Sequence, residues 1–210
     1  MHYQIDHPLL THKLTLLRDK RTNSRDFRGL ASEITMLLAY EALKNVELVP
    51  HEVETPMRNY CGGIVAHDVV LVPILRAGVG MLDGVLNLFP DARIGFVGIF
   101  RDPETAKPIT YYEKLPVTLK DPLFFIIDPM LATGGSIVAC IDMIKKHEEG
   151  CHANKIKVIS IISAPEGIEM VESKHPDVEI FTGHVDEYLN SHKYIIPGLG
   201  DAGDRLFGTR

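Results

Sequence analysis

The motif with the most specific chemistry in the sequence lies between residues 123 and 136. Five apolar residues, Leu123–Ile127, lead directly into Asp128, and a loop of small residues then ends in Thr133-Gly134-Gly135-Ser136. A helical pattern follows, so helix N-terminal amides and two hydroxyl groups converge on one spot, which favours a bound phosphate. Asp128, at the end of a predicted strand, can accept hydrogen bonds from the hydroxyls of a sugar. The alternative, an ordinary turn capped by Ser136, requires all these residues to coincide by chance.

Short apolar runs separated by helical patterns indicate the elements that position these residues. A strand buried on both faces is a continuous apolar run, which is typical of a parallel sheet covered by helices. Predicted strands cover residues 69–75, 94–100, 123–127, 156–163 and 178–182. Predicted helices cover residues 80–89, 135–149 and 165–175, the last with a capping-box spacing from Ser163 to Glu166. The alternation predicts an α/β fold with a doubly wound, mainly parallel sheet.

The remaining segments depart from this alternation. Two amphipathic helices are predicted at residues 8–20 and 24–46, and we expect residues 1–60 to form a helical layer on the sheet. Residues 101–116 contain Pro103, Pro108 and Pro116, which favour a protruding arm or hairpin over a core strand. We therefore expect one domain over residues 1–210, with an α/β core at residues 69–185 and a glycine-rich loop at residues 190–210.

Composition and charge exclude several classes of protein. Of the 210 residues, 45% are hydrophobic and 24% are charged, which excludes a disordered or fibrous chain. The net charge of −6 argues against a protein that mainly coats nucleic acid. The three cysteines lack Cys-x-x-Cys spacing, and we see no signal peptide and no uninterrupted apolar span. We expect free thiols, no membrane association and a cytoplasmic protein.

Other candidate motifs carry less weight. Residues 198–203 match G-x-G-x-x-G, but they lie too near residue 210 for the helix and strand that a dinucleotide site requires. The glycines of residues 78–84 are spaced one residue too far apart, and a Walker loop is excluded because Gly-Lys never occurs. His147, Cys151 and His152 indicate a helix end with surface histidines more than a zinc site.

Residues 127–136 resemble the phosphoribosyl-pyrophosphate loop of the type I phosphoribosyltransferases. Most of that class carry two adjacent acids before the loop, whereas here Asp128 is followed by Pro129. This departure resembles the uracil phosphoribosyltransferase family. Similar stretches lie at residues 7–14, 27–28, 72–78, 100–105, 111–116 and 194–205. The resemblance spans nearly the whole chain and is weakest at residues 60–68 and 146–155.

The resemblance implies a role for each part of the phosphate loop. The loop would hold the 5-phosphate and ribose of phosphoribosyl pyrophosphate through Asp128, Pro129, Met130, Leu131, Ala132, Thr133, Gly134, Gly135 and Ser136. Arg76 and Arg101 each follow an apolar strand and would bind the diphosphate, because guanidinium groups suit phosphate oxygens. We expect Arg76 to be buried between its apolar neighbours. Arg101 opens the arm and would close over bound substrate.

The resemblance assigns the base to the C-terminal loop. Ile195, Gly200, Asp201 and Ala202 would line a uracil pocket in which main-chain groups do much of the recognition, and glycines let the backbone approach closely. Asp201 would also face the diphosphate and its Mg²⁺ ion through water, so no side chain would ligate the metal directly. Asp128, Arg101 and Asp201 would be the catalytic residues.

These roles imply a Mg²⁺-dependent transfer of the phosphoribosyl group to uracil, giving UMP and diphosphate in pyrimidine salvage. The family also implies a homodimer or higher homo-oligomer and, in some members, activation by GTP. Two alternatives stay open at this point. One is a noncatalytic regulator that senses phosphoribosyl pyrophosphate and binds RNA, which the net charge of −6 disfavours. The other is a transferase for a purine or orotate, which the Asp128-Pro129 pair disfavours.

Overall fold

A nine-stranded, mainly parallel sheet lies at the centre of this computed structural model. The structure describes residues 1–101, 108–117, 121–147 and 155–209. The strands are β1 (His2–Gln4), β2 (Leu48–Glu54), β3 (Asn59–Val65), β4 (Val69–Leu75), β5 (Arg93–Ile94), β6 (Phe96–Arg101), β7 (Pro108–Lys114), β8 (Leu123–Ile127), β9 (Met130–Leu131), β10 (Ile156–Ser163), β11 (Glu179–Val185), β12 (Tyr188–Leu189) and β13 (Ile195–Ile196). The helices are α1 (Pro8–Arg18), α2 (Ser24–Ala42), α3 (Leu82–Leu86), α4 (Gly135–His147), α5 (Pro165–Lys174) and α6 (Ala202–Phe207), with a 3₁₀ helix at Ala77–Met81.

The main sheet has the strand order β1-β11-β10-β8-β4-β6-β7, with β5 paired to β4 and β9 to β10. All of these pairs are parallel except β6–β7, which is antiparallel. The predicted strands are thus present, although Gly95 separates β5 from β6 and β11 continues to Val185. Because the strands are parallel, their carboxyl ends meet at one edge, and this edge carries Arg76 and Asp128.

Helices cover both faces of the sheet, which confirms the doubly wound α/β prediction. Strands β8 and β10 are buried along their whole length. Phe125 belongs to an apolar cluster with residues of α1 and α2, whereas its neighbour Phe124 packs with Ile137 and Ile141 of α4. This explains why the strands are continuous apolar runs in the sequence. Among the described residues, no helix combines the length and the apolar character needed to cross a bilayer.

The predicted helical layer is only partly correct. Helices α1 and α2 pack on the sheet as expected, but the layer does not extend to residue 60, because β2 and β3 form an antiparallel hairpin with Leu48 opposite Val65. A turn closes the hairpin, where the Thr55 amide donates to the Arg58 carbonyl oxygen. Strand β1 is also outside the prediction and adds to the sheet beside β11. Strand β1 depends on a partner distant in sequence. The hairpin is local, but its strands are largely exposed and so lack the continuous apolar runs that mark the strands of the main sheet.

The structure corrects two local predictions, and the antiparallel pair of β6 and the edge strand β7 agrees with a third, the arm or hairpin at residues 101–116. The capping box is wrong: Ser163 ends β10 and donates to the Thr182 hydroxyl in the sheet, while Glu166 accepts from the Leu189 amide. The helix predicted at residues 80–89 is a 3₁₀ helix followed by the short α3. Residues 108–114 of the predicted arm form an edge strand against β6, and residues 102–107 lie outside the described chain. Cys61 and Cys140 are free thiols, and Cys151 lies outside the described residues.

Candidate active site

The phosphate loop forms between β8 and α4. Asp128 follows the last residue of β8, and β9 then pairs with β10 through Met130 and Leu131. Helix α4 begins at Gly135, and its first helical hydrogen bond runs from the Val138 amide to the Gly134 carbonyl oxygen at 2.9 Å. The amides of the preceding helical residues have no carbonyl partner within the helix, so they point into the turn with the positive end of the helix dipole. This turn has the anion-binding geometry that the sequence predicts.

The loop is fixed from behind by its contacts with β10 and α5. The Pro129 carbonyl oxygen accepts from two amides of β10, and the Leu131 carbonyl oxygen accepts from the Ala164 amide at 2.9 Å. Gly167 of α5 packs so closely that a Cβ atom there would lie 2.4 Å from the Ala132 carbonyl oxygen. Gly134 has a φ of +80° and faces the same helix. The loop therefore has little freedom to move relative to the sheet.

A cavity of about 350 Å³ joins this loop to the C-terminal loop. One wall consists of Ala77, Asp128, Pro129, Met130 and Ala132, and the other of His192, Lys193, Tyr194, Gly200, Asp201, Ala202 and Gly203. The structure thus brings together two segments that the sequence separates by about 70 residues, as the family resemblance requires.

The C-terminal loop presents main chain to this cavity. Ile195 and Ala202 are each only 3% exposed, and their side chains pack into the core cluster. Ala202 lines the cavity whereas Ile195 is not among its lining residues, and recognition of a base by the main chain stays a prediction. Asp201 caps α6 by accepting from the Asp204 amide at 2.9 Å, which fixes its carboxylate at the cavity wall. The Ile196–Pro197 peptide bond in this loop is cis.

Arg76 occupies the rim of the site, and the prediction that it is buried is wrong. Its side chain is 59% exposed, because β4 ends at Leu75 and the chain turns outward there. The Nη2 atom of Arg76 lies 3.7 Å from Asp204 Oδ1. It would lie 3.6 Å from a Cβ atom at Gly203, a residue of the cavity wall. The guanidinium is therefore beside the cavity. Arg101 ends β6, but the predicted role of its side chain lies outside the described part of the chain.

Comparison with known proteins decides the family. A family model described as uracil phosphoribosyltransferase matches residues 4–209. The chain belongs to the uracil phosphoribosyltransferase family. A uracil phosphoribosyltransferase from Desulfitobacterium hafniense (strain DSM 10664 / DCB-2) is 53% identical over 207 residues, which cover 98% of this chain and 97% of the relative. The sequence resemblance is thereby confirmed.

Solved structures agree with the fold. The AQ2163 protein from Aquifex aeolicus superposes with a TM-score of 0.92 at 43% identity, over 99% of this chain and 98% of that one. A hypoxanthine phosphoribosyltransferase from Staphylococcus aureus has a TM-score of 0.50 at 12% identity, over 88% of this chain and 84% of that one. The second likeness concerns the fold alone.

The carboxylates of the cavity suit a metal ion that is bound together with the phosphate groups of a substrate. Asp128 and Asp201 both line the cavity, and within the described residues no group of three potential metal-ligating side chains is present. Mg²⁺ keeps several waters and is commonly bound through one or two carboxylates together with phosphate oxygens of a substrate. Two carboxylates beside a phosphate loop therefore suit a hydrated Mg²⁺ ion in a member of the uracil phosphoribosyltransferase family.

The sequence analysis did not assign several cavity residues, and two of these, His192 and Lys193, lie outside every motif. His192 and Lys193 precede Tyr194 in the tight turn between β12 and β13, where Asn190 Oδ1 accepts from the amides of His192 and Tyr194. Lys193 has a φ of +64°, a conformation that favours glycine. The only sequence signal for them was their position just before Ile195, because neither residue belongs to a motif with a recognisable spacing.

Proposed function

We propose that this protein transfers the phosphoribosyl group of phosphoribosyl pyrophosphate to uracil, with UMP and diphosphate as products. The observation that carries the proposal is the single cavity lined by Asp128 of the phosphate loop and by residues 200–203 of the C-terminal loop. Transfer of a phosphosugar to a base requires both substrates side by side. Membership of the family, whose relatives carry the name uracil phosphoribosyltransferase, supports the same reaction.

On the donor side, the 5-phosphate is assigned to the turn that opens α4. Amides at the start of this helix and the hydroxyl groups of Thr133 and Ser136 supply its hydrogen-bond donors. Asp128 accepts from the ribose hydroxyls at the edge of the cavity. Arg76, on the rim, and Arg101, at the end of the neighbouring strand β6, are assigned to the diphosphate.

The transfer reaction requires stabilisation of the charges that develop in it, and it needs no nucleophile from the protein. As the bond to the diphosphate breaks, positive charge develops on the ribose ring and negative charge on the leaving group. Mg²⁺ bound with the substrate supplies counter-charge to that diphosphate. Asp201 is assigned to hold the ion through water, since its carboxylate is fixed at the cavity wall by the Asp204 amide. Arg76 adds a second positive charge at the rim.

Recognition of the base is assigned to the backbone of the C-terminal loop. Gly200 and Gly203 line the cavity and have no side chains, so amides and carbonyl oxygens are what these two residues offer to a planar base. Uracil and cytosine differ at position 4 and at the adjacent ring nitrogen, where donors and acceptors exchange. A rigid polar pocket rejects such an analogue by about 10⁴-fold, because the buried groups are left unpaired.

A panel of free bases tests the function directly. The protein is incubated with phosphoribosyl pyrophosphate, Mg²⁺ and, separately, uracil, cytosine, orotate, hypoxanthine or guanine, and nucleotide formation is followed by chromatography. We expect UMP from uracil, with a catalytic efficiency at least about 10²-fold above that for every other base. Faster turnover of a purine or orotate would assign a different acceptor, and no nucleotide from any base would refute transferase activity.

We also propose that the chain self-associates through the hairpin β2–β3. Its cross-strand pairs Val49–Ile64 and Val53–Tyr60 lie on one face, and all four side chains are exposed. A two-stranded hairpin alone is marginally stable in water, so this apolar face needs a cover. The hairpin of a second copy of the chain is the cover that we propose. In a two-fold dimer the same face of each hairpin packs against the other, so one interface buries both apolar faces.

Light scattering coupled to size exclusion measures this association. We expect at least a dimer for the wild-type chain and a shift toward monomer for Val53→Lys, since a charge in the apolar face opposes burial. The matched control is Glu52→Lys, which changes a neighbouring residue on the opposite hairpin face. A monomeric wild type, or equal effects of both substitutions, would refute the assignment.

Two further assignments rest mainly on the family resemblance. The chain is placed in the cytoplasm, which suits the exposed free thiol of Cys61, because such thiols persist in reducing compartments. Activation by GTP is tested by adding GTP to the uracil assay at subsaturating phosphoribosyl pyrophosphate. A rate that GTP leaves unchanged over the whole concentration range would refute activation by GTP.

A further inference from the structure

The C-terminal loop is held by charged side chains that lie behind it. Residues 197–200 form no regular secondary structure, so their backbone groups need other partners. The Gly198 amide donates to Asp186 Oδ2 at 2.8 Å, and the Gly198 carbonyl oxygen accepts from Arg18 Nη1 at 2.7 Å. One residue further, the Leu199 carbonyl oxygen accepts from Arg205 Nη1 at 2.8 Å. The amide and the carbonyl oxygen of Gly198 thus bind Asp186 and Arg18, which form an ion pair with each other.

Both ends of this ion pair are engaged, and its carboxylate is shielded from water. Arg18 donates through both terminal nitrogens to the two oxygens of Asp186, and the Asp186 side chain is fully buried. His184 Nδ1 lies 2.9 Å from Asp186 Oδ1. Paired hydrogen bonds between a guanidinium and a carboxylate constrain orientation as well as distance. The pair therefore fixes the position of Gly198 relative to the end of α1 and the end of β11.

Gly198 needs this support because its conformation is demanding. Its φ is +66°, and a Cβ atom would lie 2.1 Å from the Ile195 carbonyl oxygen. The loop folds back on itself at this point, immediately before Gly200, Asp201 and Ala202 line the cavity. A shift at Gly198 is transmitted directly to the backbone that faces the base.

We propose that Asp186 and Arg18 are positioning residues for the base, which set the location of the base-reading backbone through Gly198. Neither residue is among the described residues that line the substrate cavity; Arg18 lines an adjoining cavity, which shares Tyr194, Gly200 and Asp201 with it. They act on substrate only through the loop. The phosphate loop, by contrast, is fixed by β10 and α5, so binding of phosphoribosyl pyrophosphate depends on other contacts.

The proposal rests on the proposed function and predicts a selective kinetic effect. In Asp186→Asn the side chain keeps its shape and can still accept from Gly198, but its amide group no longer pairs with both nitrogens of Arg18. We expect the KM for uracil to rise by about tenfold or more, with the KM for phosphoribosyl pyrophosphate within about twofold of wild type. The preference for uracil over cytosine should fall as well, since the pocket loses its fixed geometry.

Two further variants keep the test decisive. Arg18→Lys retains the charge but cannot make the paired bonds, so it should raise the KM for uracil in the same direction and by less. Glu33→Gln is the control, because it removes the Lys13–Glu33 ion pair between α1 and α2 and should leave both KM values unchanged. If Asp186→Asn does not fold, Arg18→Lys decides the question alone.

The outcomes separate this inference from the proposed function. A wild-type protein that does not convert uracil refutes the function. A wild-type protein that converts uracil, with variants in which both KM values rise equally or neither changes, refutes the positioning role alone. A selective rise in the KM for uracil, graded from Arg18→Lys to Asp186→Asn, supports it.

Discussion

Gly167 offers a direct test of the phosphate loop, because it supports the loop from outside the cavity. A Cβ atom at this position would lie 2.4 Å from the Ala132 carbonyl oxygen and 2.8 Å from that of Leu131, whereas ordinary contact begins at 3.4 Å. In Gly167→Ala either the loop or α5 must therefore move by about 1 Å. A displacement of this size at a binding site can cost about 10²-fold in rate.

The matched control is Gly29→Ala, since a Cβ atom at Gly29 in α2 has nothing within 4 Å. Alanine is the better helix former, so this variant should gain about 0.5–1 kcal/mol in unfolding free energy. Gly167→Ala gains the same helix preference but incurs overpacking, which costs about 1–3 kcal/mol. The two substitutions, identical in chemistry and both in helices, are thus expected to change stability in opposite directions.

Denaturant unfolding and steady-state kinetics measure the two effects. For Gly167→Ala we expect kcat/KM for phosphoribosyl pyrophosphate to fall by at least tenfold, about 1.4 kcal/mol in transition-state free energy. The KM for uracil should change far less, because the atoms nearest to a Cβ atom at Gly167 all belong to Leu131 and Ala132 of the phosphate loop. If Gly167→Ala matched Gly29→Ala in stability and kinetics, the loop would not be held against α5 as described.

Three other predictions concern the metal, the buried carboxylate and the turn. Excess EDTA should abolish UMP formation and added Mg²⁺ should restore it; undiminished turnover in EDTA would remove the metal from the reaction. Burial alone would raise the pKa of Asp186, but hydrogen bonds from Arg18 and Gly198 outweigh burial and hold the pKa below its ordinary value. The ionised Asp186 side chain therefore adds its full contribution to the free energy of unfolding above the unfolded-state pKa of about 4. This contribution is lost as the pH falls through the lower folded-state pKa. The difference in unfolding free energy between wild type and Asp186→Asn should stay constant from neutral pH to about pH 5 and shrink below it, and a constant difference at every pH would contradict this. Lys193→Gly should raise the unfolding free energy by about 1 kcal/mol, because it relieves a left-handed conformation, and a loss of stability would show that the lysine side chain compensates.

Local patterns in the sequence were sufficient for the α/β core and the phosphate loop. Strand β8 is apolar on both faces because helices cover both, and this burial is visible as an unbroken run before Asp128. The turn that opens α4 is equally local, since the amides of a helix N-terminus depend only on where the helix begins. The family resemblance then related the C-terminal loop to the same site, although no local pattern places residues 200–203 opposite Asp128.

The tertiary structure decided what depends on contacts between distant segments. Arg18 is the last residue of α1 and belongs to no motif in the sequence, and only folding brings it to Asp186, 168 residues away, and to Gly198. The hairpin β2–β3 and the exposure of Arg76 were likewise not predictable, because strand pairing and the end of a strand are set by neighbours in space. A buried ion pair has no periodicity and no fixed spacing, so its position follows from the packing of α1 against the end of β11 and not from any stretch of sequence.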